Sequence, residues 1–136
     1  MSVIYLSVFY YKYIYCVKRE NKMGFTIYTP ILLGTGQPDA GMNQTIVTIR
    51  PDSNAYMNIY ITNTDSENYE FIKVAVKPGA DDLADQHWIA YDTPIYPSKL
   101  FVLADIGLGP SDEVVVSSQN GYATFNVTGN YFTNYD

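Results

Sequence analysis

The sequence predicts an all-β protein: a single antiparallel β-sandwich, jelly-roll or immunoglobulin-like, behind a separate N-terminal segment. Three observations carry this reading. From residue 25 onward, short runs rich in Ile, Val, Tyr, Phe and Thr alternate with turn clusters, as in sandwiches built of short strands. Two of these runs alternate in chemistry with period two, the pattern of a strand with one buried and one wet face. Residues 80–86 alone have a helix-like composition, and that stretch is too short to change the class.

The expected strands follow in order. Residues 25–33 lead into a turn cluster from Gly34 to Gly41. Residues 44–50 end at Pro51-Asp52-Ser53-Asn54, and residues 55–63 end at the polar stretch 64–68. In the latter strand Ala55, Met57, Ile59 and Ile61 face one way, and Tyr56, Asn58 and Tyr60 the other. Residues 69–77 set Ile72, Val74 and Val76 against Phe71, Lys73 and Ala75, and stop at Pro78-Gly79. Residues 88–91 and 99–104 flank a proline-rich link. Residues 113–117 and 122–128 close the series, and Asn120-Gly121 between them reads as a hairpin turn.

Length and charge bound the function. At 136 residues the chain is one domain's worth and long enough to bury a core. Cys16 is the single cysteine, so no intrachain disulfide forms and burial must hold the core. Residues 1–22 carry four basic groups and one acidic group, a net of +3. Residues 23–136 carry four basic groups against thirteen acidic ones, a net of −9. Such a body repels phosphate backbones, so no nucleic-acid partner is expected.

The domain boundary is expected at Met23, with the sandwich over 23–136. The apolar run in residues 1–17 is interrupted by Lys12 and followed by a basic cluster. It is too short for a membrane-spanning helix and lacks the order of a signal peptide. Three readings of residues 1–22 stand: translated upstream sequence with the start at Met23, a β-forming arm that docks on a neighbour, or a membrane-touching segment. No membrane partner is expected of the main domain.

No catalytic, metal or cofactor site is assigned. Asp81, Asp82, Asp85 and His87 lie within seven residues and have the donor types of a divalent-metal hydrolase. They lack the interleaved Gly and Asn of a hard-cation loop, and a solvated acidic loop is the preferred reading. His87 is the lone histidine, and no Gly-x-Ser-x-Gly elbow exists to make it a triad base. Cys16 sits in apolar context and reads as an inert thiol. Gly34-Thr35-Gly36 is not followed by a helix opening with Lys and reads as a loop rather than a phosphate cradle. Trp88, the lone tryptophan, is either a core anchor, the favoured reading, or a sugar-stacking ring beside Tyr91 and Asp92.

From residue 44 to 129 the order of segments resembles small β-sandwich structural proteins of tailed bacteriophage virions. The pieces are Ile59-Tyr60-Ile61-Thr62-Asn63, Ile72-Lys73-Val74-Ala75-Val76-Lys77-Pro78-Gly79, the aromatic stretch His87 to Ile95, Asp112-Glu113-Val114-Val115-Val116 and Phe125-Asn126-Val127-Thr128-Gly129. Ser111 stands where that pattern has a glycine before Asp112, with Gly109 displaced upstream. The resemblance implies a non-enzymatic virion protein of the head-decoration, neck or tail-accessory type. Its partners would be copies of itself and other capsid or tail proteins. An alternative is a tail-associated carbohydrate- or receptor-binding module. Tyr56, Tyr60, Phe71, Trp88 and Tyr91 are the expected interface or ligand residues, because exposed aromatics on a sheet face mark contact surfaces.

Overall fold

The structure, a computed structural model, describes residues 30–133. The readings of residues 1–22, of Cys16, of the Met23 boundary and of residues 25–29 lie outside the described residues. Residues 31–133 belong to one compact unit.

Eight strands make up that unit: β1 (Ile31–Gly36), β2 (Asn43–Thr48), β3 (Ser53–Asn63), β4 (Glu70–Lys77), β5 (Trp88–Ile95), β6 (Leu100–Leu108), β7 (Glu113–Ser118) and β8 (Ala123–Thr133). They form two antiparallel sheets of four, ordered β1-β8-β3-β6 and β2-β7-β4-β5. Among consecutive strands, β4 and β5 alone share a sheet; every other connection crosses the sandwich. That is the strand order of a jelly roll, two Greek keys folded face to face.

Period-two patterning places the core. Ala55, Met57, Ile59 and Ile61 of β3 are buried, as are Ile72 and Val74 of β4, Val114 and Val116 of β7, and Phe125 and Val127 of β8. Leu33, Ile46, Val76, Phe101, Leu103 and Ile106, partly buried, pack against this cluster.

Three expectations about local structure are corrected. Gly34 and Gly36 belong to β1 rather than to a loop. A Cβ on Gly34 would overlap the Ile46 carbonyl oxygen, so glycine here serves the close approach of β1 to β2. The strand beginning at Trp88 runs on through Pro94 to Ile95. Proline is tolerated because β5 is a sheet edge. Asn120-Gly121 does not close a hairpin, since β7 and β8 lie in different sheets. Gly121 does take the left-handed conformation, with φ 82°, but the turn carries the chain across the sandwich.

Glu70 ties this turn down. Its side chain is fully buried and accepts from four donors: Phe71 N at 2.9 Å, Asn120 N at 3.1 Å, Asn120 Nδ2 at 3.3 Å and Tyr122 N at 3.0 Å. Ser118 Oγ accepts from Ala123 N at 3.1 Å. Backbone donors that a hairpin ladder would use are satisfied by side chains instead. At the same end of the molecule Asn63, also fully buried, donates from Nδ2 to the carbonyls of Asn68 and Ile95 at 2.8 and 3.1 Å. Its Oδ1 accepts from Asp65 N at 2.9 Å.

Candidate functional site

The five expected aromatic residues divide between two opposite faces. Tyr56 and Tyr60 point outward from the β1-β8-β3-β6 sheet; Phe71, Trp88 and Tyr91 belong to the outer side of β2-β7-β4-β5. No single site gathers all five.

The first face is almost uncharged. Across its four strands Asp105 is the one charged residue. Pairing with β3 places Val102 beside Tyr60 and Leu100 beside Thr62, and pairing of β3 with β8 puts Asn126 on Tyr60's other side. Leu32, Leu100 and Val102 are exposed, and Tyr56 is 42% exposed. Tyr56 meets Phe132 edge to face at 5.9 Å. Near the middle of β6 a bulge sets Asp105 at φ 59°, and its N–H donates to Asn58 Oδ1 at 2.9 Å. This bulge interrupts edge pairing along β6 while leaving the apolar row outward.

The second face is polar and aromatic. Trp88 and Tyr91 are three residues apart, which in a regular strand puts them on opposite sides. The β4–β5 register shifts between Val74 and Ala75, and again between Ile72 and Val74. The first extra residue, Ile89, brings Trp88 and Tyr91 to one side; their rings meet at 5.8 Å. The second shift falls at Asp92, whose φ is 46°. Lys73 Nζ lies 4.4 Å from the Tyr91 ring and 5.8 Å from the Trp88 ring, and 3.8 Å from Asp92 Oδ1. Trp88 is thus no core anchor: it is partly exposed on the outer side of β5, opposite Ala75 in the ladder. The bulge, not the alternation, sets its direction. Lys73, Ser117 and Gln119 also belong to this face. They come from separate segments, and no spacing in the sequence links them.

The acidic stretch forms the loop between β4 and β5. His87 is buried, and its Nδ1 accepts from Ala84 N at 2.9 Å. That acceptor role places the ring proton on Nε2, which faces Asp81 Oδ2 at 3.8 Å. Among the described residues no three His, Cys, Asp or Glu side chains are gathered to hold a metal ion. Lys77 at the head of this loop is ion-paired with Glu113 at 2.9 Å and donates to the Asp81 carbonyl at 2.8 Å. Among the described residues no helix is long and apolar enough to cross a membrane.

Comparison of the chain with protein-family models, curated proteins and solved structures returns no match.

Proposed function

We propose that this protein is a non-enzymatic structural component of a bacteriophage virion. It would be a capsid-decoration or accessory subunit that binds copies of itself and neighbouring capsid or tail proteins. The observation that carries the reading is the outer face of β1-β8-β3-β6. An acidic body repels its own copies least where local charge is absent, and this sheet contributes one charged residue, Asp105. Depletion of charge with enrichment of aromatics is the composition of an interface core. Jelly-roll topology recurs in capsid domains, and the order of segments from Ile59 to Gly129 resembles virion proteins; both agree with the reading.

Mass spectrometry of gradient-purified particles from the phage that encodes the chain is the direct test. Peptides of this protein are expected at a copy number that is a multiple of a virion symmetry. Particles devoid of it would end the proposal.

A further inference from the structure

The outer face of β2-β7-β4-β5 has a chemistry that particle assembly does not require. A cleft of about 560 Å³ opens there, lined by Gly41, Phe71, Lys73, Asp92, Ser117 and Gln119. Its volume is in the range of small-ligand sites. Phe71, 37% exposed, supplies an apolar wall. The remaining side chains supply hydrogen-bonding groups of both kinds: Lys73 donates, Asp92 accepts, and Ser117 and Gln119 do either. Lys73 and Asp92 are 3.8 Å apart, too far for a direct hydrogen bond. Each therefore keeps capacity for a third group placed between them. Gln119 is tied to the cleft through its backbone, its N–H donating to the Phe71 carbonyl at 2.9 Å, so its side chain remains available.

We propose that this cleft binds an uncharged saccharide. A pyranose offers an apolar C–H face, which packs on an aromatic ring, and a rim of hydroxyls that donate and accept at once. Phe71 matches the first, and the ring of Lys73, Asp92, Ser117 and Gln119 matches the second. The cleft's one cation and one anion cancel, and the acidic body around it disfavours anionic sugars. The bulges of β5 have a role in this site. They set Trp88 and Tyr91 around Lys73, holding its ammonium at the cleft, and turn Asp92 outward. A bulge that re-aims side chains beside a binding site is a recurrent device.

The lone tryptophan makes the site observable, because Trp88 adjoins Lys73. The full chain is screened on an array of neutral and acidic oligosaccharides, and array hits are titrated by Trp88 fluorescence. Neutral glycans are expected among the hits. Phe71→Ala and Gln119→Ala are each expected to weaken binding about tenfold or more, with thermal melts like wild type because both side chains are exposed. Tyr60→Asp, on the opposite face, is expected to leave sugar binding unchanged; it therefore separates this proposal from the assembly role. Binding of no neutral glycan, binding of acidic glycans alone, or binding indifferent to both cleft variants would each overturn the assignment.

Discussion

Ser111 adopts a left-handed backbone, with φ 64°, in the turn that leads into β7. An L-residue pays about 1–2 kcal/mol there. Other bonds hold the turn: Asp112 Oδ2 accepts from Gly109 N at 2.8 Å, and Ser111 N donates to the Ile49 carbonyl at 3.1 Å. Ser111→Gly should raise stability by about 0.5–1 kcal/mol, read as a higher urea midpoint with an unchanged slope. Asp65 shows the opposite economy. Its carboxylate accepts from Glu67 N at 2.9 Å and from the Asn68 side chain at 3.2 Å, and these bonds hold its pKa below the usual aspartate value, the Glu67 bond first. The folded pKa lies below the unfolded one. The stabilisation is therefore complete above the unfolded value of about 3.9 and fades as pH falls through the folded value. Comparing Asp65→Ala with wild type should give a stability gap at neutral pH that closes in acid, and titration of the Asp65 carboxyl by NMR should show the lowered midpoint.

At the scale of the element, strands were legible and their connections were not. The alternation in β3 named its buried face residue by residue, since period-two patterning is a local property of the extended chain; in β4 it held through Val74, but Ala75, expected on the wet face, is fully buried and Val76 only partly so. Asn120-Gly121 carried an equally local signal, yet a turn sequence specifies a bend and not the strand beyond it. Glu70, fifty residues earlier, accepts from the N–H groups of Asn120 and Tyr122 in that bend. Glu70→Gln places an amide donor among four N–H donors and should cost about 2 kcal/mol in chemical denaturation. An unchanged midpoint would mean that the β7–β8 corner is held by its backbone alone. Strand β5 teaches a related lesson. The bulge at Ile89 puts Trp88 on the same side as Tyr91, and bulges depend on the partner strand, so no reading of 88–95 in isolation reveals it.

Across the whole molecule, charge is partitioned by face. The β1-β8-β3-β6 strands carry Asp105 alone, whereas β4, β5 and β7 carry Lys73, Lys77, Asp92 and Glu113 besides the buried Glu70. If the neutral face joins copies, association brings two acidic bodies together and should tighten as salt screens them. Light scattering after gel filtration should show a larger oligomer fraction at about 0.5 M than at about 0.05 M salt. Tyr60→Asp buries a charge in that contact and should weaken association at least about tenfold, while costing the fold about 1 kcal/mol or less. A wild-type chain that is monomeric at every salt concentration would remove self-association from the proposed role.

Composition, the all-β class, the approximate positions of most strands and the inward face of β3 follow from the chain's own sequence, because each depends on neighbours within a few residues. Strand partners, the choice of jelly roll over immunoglobulin-like order, and the separation of five aromatics onto two faces come from long-range pairing. The cleft belongs to the second group. Phe71 was legible as an exposed aromatic, but Lys73, Asp92, Ser117 and Gln119 meet around it only where three strands and a turn are brought side by side, and buried Glu70 and Asn63 hold the chain ends of those strands in place.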